Sequence, residues 1–88
     1  MYYTYIIFSK SKNRYYTGYT SSNPQDRLDR HNNGMTFSTK SGIPWTLVFF
    51  RSFDNKTDAI KFENLIKRQK SRKFIAELIQ PQNNDLPE

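Results

Sequence analysis

Cysteine is absent from all 88 residues, so neither a disulfide framework nor a thiolate metal site is open to this chain. Histidine occurs once, which excludes the usual multi-histidine metal site. Long hydrophobic runs are missing too: the most apolar stretches, "YIIF" and "TLVFF", fall far short of the ~20 residues that a membrane-spanning helix needs. The N-terminus carries no signal-peptide pattern, because its apolar residues already alternate as in a strand, so the sequence points to a cytoplasmic protein without a membrane partner. Acidic side chains are scarce, 8 against 14 basic ones, and the formal net charge is +6. Only three glycines are present, and one of them, Gly18, stands inside "RYYTGYT", a stretch that otherwise has the composition of a β-strand. A strand interior suits glycine poorly, so something must explain it.

What the chain does contain is aromatic side chains, 16% of residues against a total hydrophobic content of 35%. A core must therefore be assembled from a few large rings, and a ring-rich chain of this length is expected to fold as one domain rather than remain disordered. Phosphate-rich partners are the commonest reason for so large a basic excess. Lys10, Lys12 and Arg14 cluster in one segment, and Lys61, Lys67, Arg68, Lys70, Arg72 and Lys73 follow one another near the C-terminus.

The element order predicted from local signals is ββαβαα. "YYTYIIF" (2–8) fits a first strand, and Tyr15 to Thr20 a second that returns antiparallel after the polar "SKSKNR". Asn23 before Pro24 signals a helix start and Gly34 a helix stop. Polar "MTFSTKSGIP" predicts a loop, and "WTLVFFRSF" a third strand whose unbroken apolar run predicts burial on both faces. Asn55 with Asp58 resembles a capping box opening a helix through about residue 69, and Ser71 can cap a last helix, "RKFIAELI". The expectation is an α+β domain over 1–80, a small antiparallel three-stranded sheet flanked by helices, followed by a polar tail over 81–88.

Two polar features stand out on these elements. Arg27 and His31, four residues apart, share one face of the first helix, where a solvated surface is the ordinary reading for such a pair. Glu63 falls at the edge of the apolar face that Ala59, Phe62 and Ile66 define, as a rim carboxylate or as a partly buried anion awaiting a cation.

In order and spacing, "YTY" (3–5), "YTG" (16–18), "RLDRHN" (27–32) and "KFENLIK" (61–67) together resemble the GIY-YIG nuclease superfamily, in particular small members related to the N-terminal nuclease domain of the excision-repair subunit UvrC. The resemblance covers roughly residues 2–80. It implies Tyr5 and Tyr16 as the two motif tyrosines, Arg27 as the catalytic arginine with His31 and Asn32 after it, and Glu63 as the metal-binding glutamate. Tyr3, Thr4 and Thr17 replace motif residues at strand positions without removing a reactive group, and Tyr19 stands where the UvrC domain has a lysine.

Hydrolysis of a phosphodiester needs a nucleophilic water, charge stabilisation on the phosphoryl oxygens and help for the leaving oxygen. Glu63 would hold a single Mg²⁺ or Mn²⁺, ions suited to an all-oxygen site with few protein ligands. Arg27 would fork onto a phosphate oxygen. A free phenol is ionised to only about one part in a thousand at neutral pH, so a tyrosine base needs a nearby cation. By resemblance Tyr16 is the general base, with Tyr5 shaping the site or sharing the proton path; His31 is a competing base, proton relay or phosphate ligand. Lys10, Lys12, Arg14, Arg30, Lys40 and Lys67 form the expected DNA-binding set. Gly18 would let a backbone or phosphate come close to the sheet.

The expected function is a metal-dependent DNA endonuclease acting on structured or damaged DNA in repair or recombination, with a protein partner able to supply targeting. The alternative is a catalytically silent nucleic-acid-binding module of the same fold, whose signature would be loss of Arg27 or Glu63; both are present. A third reading is a basic protein docking on acidic proteins or membranes.

Overall fold

In the computed structural model, residues 1–80 are described; the polar tail expected over 81–88 lies outside the described residues. Strand β1 (Tyr2–Ser9) forms the centre of a sheet, with β2 (Arg14–Thr20) on one side and β3 (Trp45–Phe53) on the other, both antiparallel to it. The sheet is flanked by α1 (Pro24–Asn32), α2 (Lys56–Gln69) and α3 (Arg72–Ile79), as the ββαβαα order predicts. Because β1 alone has a neighbour on both edges and helices over both faces, Thr4, Tyr5, Ile6 and Ile7 are all buried.

That central position corrects the expectation for β3. Leu47, Val48 and Phe49 are only partly buried and Phe50 is 55% exposed, since β3 is an edge strand. The pairing also slips between Ile6 and Ile7, which oppose Phe49 and Leu47, so Val48 is an extra residue that breaks the alternation of the strand.

The two faces of the sheet are covered by different helices. Tyr5 and Ile7 share a face with their cross-strand neighbours Gly18 and Tyr16. There α1 contributes Leu28 to a core with Tyr5, Ile7 and Trp45, and Tyr16, Ile43 and Leu47 pack around it. On the opposite face the Thr4 hydroxyl donates to the Ala59 carbonyl of α2 at 2.7 Å, and the Phe62 ring lies 6.3 Å from Phe49 and 5.7 Å from Phe53.

Local chemistry sets where the helices begin and end. The Asn23 side chain accepts from the Gln25 amide at 2.8 Å with Pro24 at the first turn of α1. Gly34, at φ 75°, closes the same helix: its N–H bonds the His31 carbonyl and that of Met35 the Arg30 carbonyl, both at 3.1 Å. Asn55 and Asp58 cap α2 reciprocally at 2.9 and 3.2 Å, and Ser71 caps α3 at 3.1 Å after the chain turns through Lys70 at φ 48°.

The segment predicted as a loop is instead built around a 3₁₀ helix, Phe37–Gly42, followed by a cis Ile43–Pro44 bond. Tertiary bonds hold it: the Trp45 indole donates to the Thr39 carbonyl at 2.7 Å and the Ser9 hydroxyl to the Gly42 carbonyl at 2.6 Å. Asn32 grips the Trp45 backbone from both sides, accepting from its N–H at 2.6 Å and donating to its carbonyl at 3.0 Å.

The glycine inside "RYYTGYT" is explained by its neighbour rather than by a ligand, which corrects the expectation that Gly18 admits a phosphate. The Tyr5 ring crosses β2 directly over it, and a Cβ at position 18 would lie 2.7 Å from the Tyr5 hydroxyl and 2.9 Å from Cζ. Tyr5 is 1% exposed and has nowhere to retreat. Gly18→Ala is therefore expected to destabilise the fold by roughly 1–3 kcal/mol through overpacking. Urea denaturation measures this, and a midpoint equal to that of the parent chain would show that the ring is not seated over Gly18.

Candidate active site

Tyr5 reaches the site because β1 aims it at the α1 face and Gly18 leaves room for its ring to extend across β2. Its hydroxyl lies 2.8 Å from His31 Nε2, and His31 Nδ1 lies 2.7 Å from the Thr39 hydroxyl, which donates to the Thr36 carbonyl at 3.3 Å. Those bonds fix the direction of the chain. With the Thr39 proton committed to Thr36, the Thr39 oxygen accepts from His31 Nδ1–H, leaving Nε2 as the acceptor of the Tyr5 proton.

His31 is fully buried, and the expectation of a solvated α1 face gives way there. Burial pushes its pKa down from 6.5 to about 4, and the positive charges of Arg27 and Arg30 on the same helix add to the effect. A neutral imidazole sealed behind Tyr5 cannot touch a phosphate, which removes the phosphate-ligand reading of His31.

Burial likewise raises Tyr5 from 10.0 to about 12. Arg27 opposes this both as hydrogen-bond donor and as positive charge, while Tyr16 and Glu63 add to the rise. Desolvation wins, so the cationic field expected to ionise a tyrosine does not ionise Tyr5. The same interactions show that Arg27, Tyr16 and Glu63 all come within electrostatic reach of one phenol. Four of the five expected site residues are thus drawn to Tyr5 or are Tyr5 itself, and the fifth, His31, is bonded to it.

Tyr16 is half-buried, its ring 5.2 Å from His31 and 6.3 Å from Trp45. Arg27 is half-buried on α1. Glu63 comes from the helix on the other face of the sheet. Its side chain is 12% exposed, and its carboxylate accepts from Lys67 at 2.8 Å, one turn along α2. Tyr16 and Lys67 line the same groove at the β2 edge, so it is around that free edge that the two faces meet.

The donors available here suit a hard divalent cation. Glu63 offers carboxylate oxygen, both His31 nitrogens are engaged, and the described residues hold no group of three or more His, Cys, Asp or Glu that could cage a metal. Zinc would need more nitrogen or sulfur, whereas Mg²⁺ or Mn²⁺ keeps water and takes phosphate oxygens beside one or two carboxylates. The Glu63–Lys67 pair is no obstacle: with Lys67 half in solvent, such an i,i+4 pair contributes only ~0.3–0.5 kcal/mol.

Of the remaining expected DNA contacts, Arg14 lines the same groove as Tyr16 and Lys67, whereas Lys10 and Lys12 are exposed at the β1–β2 turn, Arg30 on α1 and Lys40 on the 3₁₀ helix. Thr39 is the residue that the sequence did not disclose. It lies in a polar segment with no periodicity, and only the fold brings it to His31.

Residues 1–75 match the GIY-YIG catalytic domain. A UPF0213 protein of Staphylococcus saprophyticus is 40% identical over 79 residues, covering 85% of this chain and 94% of its own length. A UPF0213 protein of Lactococcus lactis is 38% identical over 86 residues, covering 97% and 78%. Among solved structures, the solution NMR structure of a UPF0213 protein from Bacillus halodurans is similar with a TM-score of 0.54 at 29% identity, over 92% of this chain and 89% of that one.

The depressed pKa of His31 has a stability consequence of definite sign. Between its folded value of about 4 and its unfolded value of 6.5, the unfolded chain binds the extra proton, so stability is complete above pH 6.5 and falls as the pH is lowered through that window. From pH 7 to pH 5 the expected loss is about 2 kcal/mol, before most carboxylates titrate. Denaturation at the two pH values checks it: the parent chain should show the loss, and His31→Gln, less stable at pH 7, should show little further change.

Proposed function

This chain belongs to the GIY-YIG family, whose members are endonucleases, and from that membership we propose that it hydrolyses phosphodiester bonds in DNA with one divalent cation, Mg²⁺ or Mn²⁺, as cofactor. The observation that carries the proposal is that Tyr16, Arg27 and Glu63, each from a different element, all lie within electrostatic reach of the Tyr5 phenol. Neighbouring rings would suffice for packing. A guanidinium and a carboxylate brought there from helices on opposite faces serve no packing purpose.

Each residue has a role that its environment permits. Arg27, whose charge reaches the Tyr5 phenol, aims its planar fork at a non-bridging phosphate oxygen, where charge grows in the transition state. Tyr5, neutral and buried, orients Arg27; His31 in turn orients Tyr5. Both are positioning residues. Tyr16, at the groove wall, is the general base that takes a proton from the attacking water. Glu63 would hold the cation, which would supply Lewis-acid stabilisation to the leaving oxygen. Lys67 neutralises Glu63 when no cation does so.

The described residues form one sheet with its helices, leaving little surface for a dedicated base-reading element, so DNA would be selected by shape. Branched or damaged DNA in repair or recombination fits that mode, with targeting supplied by a protein partner. The cysteine-free chain suits the cytoplasm.

Supercoiled, linear and branched DNA incubated with and without Mg²⁺ or Mn²⁺ tests the proposal. Cleavage is expected only with the cation, and Glu63→Ala should abolish it while leaving the fold and DNA binding intact, because Glu63 lies outside the apolar cluster that forms the core. Nicking at the parent rate by the purified Glu63→Ala protein would remove Glu63 from the mechanism.

Arg27→Lys separates geometry from charge. Turnover should fall by ~10²-fold or more, about 3 kcal/mol, typical of losing one preorganised donor. Binding should change little, since the positive charge is kept. Weakened binding with normal cutting of the bound DNA would instead assign Arg27 to docking.

A further inference from the structure

A concavity of about 430 Å³ lies between β2 and the turn joining α2 to α3. Arg14 and Arg72 stand in its wall together with Lys67 and Lys70, and none of its lining residues is acidic. We propose that this groove holds the sugar–phosphate backbone of one nucleic-acid strand beside the scissile bond. The proposal rests on the nuclease reading for the meaning of the neighbouring site, and it adds Lys70 and Arg72 to the binding surface.

Three observations lead there. First, like charges collected in one groove repel, an arrangement that an anionic ligand relieves and that packing does not require. Arg72 is held in place to keep its charge there: it donates to the Asn13 carbonyl at 2.9 Å and to the Asn13 side-chain oxygen at 3.1 Å, and lies 5.1 Å over the Tyr15 ring.

Second, the rings in the wall are engaged and offer no stacking platform for bases. Tyr15 packs 4.8 Å from Phe8 beneath Arg72, and Tyr16 packs against His31 and Trp45. The groove therefore meets the backbone and not the bases. Its volume lies within the roughly 300–1,000 Å³ of ligand pockets, room for a backbone segment of one strand.

Third, the groove is continuous with the site. Tyr16 and Lys67 belong to both, and Lys67 contacts Glu63 at 2.8 Å. A backbone lying along Lys70 and Lys67 is thus led to the residues that would cut it.

The test uses the full chain without divalent cation, so that binding is read apart from cleavage. Fluorescence anisotropy with a labelled single-stranded oligonucleotide across a salt series should show Lys70→Gln weakening binding about fourfold at about 0.15 M salt and reducing the log–log salt slope by ~0.7, one phosphate contact. Lys61→Gln, which removes a charge from α2 outside the groove, should leave the slope unchanged. Equal effects of the two substitutions would overturn the proposal.

Because the chain has no cysteine, Lys70→Cys provides a single attachment point for a photo-crosslinker, and Ser52→Cys a control on the opposite edge of the sheet. Crosslinking to the oligonucleotide is expected from position 70 and not from position 52. Crosslinking from neither position, or equally from both, would overturn the groove assignment. A Lys70 effect in a chain that cuts no DNA would leave the groove standing and sink the nuclease reading.

Discussion

The hydrogen bond between Tyr5 and His31, buried on both sides and roofed over Gly18, is the constraint around which the molecule is arranged. A satisfied hydrogen bond adds only ~0.5–1.5 kcal/mol, but each buried group left without a partner costs ~1–3 kcal/mol. That asymmetry fixes geometry more than it adds stability. His31 must also find Thr39, so the bond ties β1 to α1 and to the 3₁₀ helix at once. In a chain whose hydrophobic content is 35%, polar ties of this kind, together with Thr4 to Ala59 and Asn32 to Trp45, position elements that aliphatic packing alone would leave loosely specified.

The same bond sorts the site into two electrostatic layers. Behind it, low dielectric keeps both titratable partners neutral: the imidazole is held below its usual range and the phenol above it. In front, Arg27 and Glu63 remain partly accessible, charged and of opposite sign. A neutral rear layer lies within reach of the guanidinium without neutralising it as a carboxylate would. Glu63 instead has its own counter-charge in Lys67, one turn along its helix.

What the sequence disclosed and what it concealed divide along the range of the interactions. Asn23 and Pro24, Asn55 and Asp58, and Ser71 act within one helical turn, and their caps were legible. The two tyrosines, Arg27 and Glu63 were legible as candidates through their order and spacing. His31 was legible as a candidate but not as a buried one, because its helix has little aliphatic character and its burial comes from Tyr5 and Thr39, 26 and 8 residues away. The apolar run of β3 suggested a doubly covered strand, yet an edge position and the extra residue Val48 expose Phe50. Gly18 signalled a close approach correctly in kind and misleadingly in partner: the group that needs the space is a side chain from the adjacent strand, which no local pattern encodes.

A chain this small cannot keep its site and its core apart. Tyr5 belongs to the core cluster with Ile7, Leu28 and Trp45 and is also the oxygen against which Arg27 is set. Truncating Tyr5 would open a cavity and release the arginine together, so a lost activity would not say which mattered. Residues at the rim escape that ambiguity, because their side chains leave the packing intact when changed. The chemistry is therefore most cleanly assigned from Arg27 and Glu63, at the accessible end of the chain of contacts, and the architecture from Gly18, His31 and Thr39 at its buried end. Tyr16 joins the two, with its ring against His31 and Trp45 and its residue in the wall of the groove.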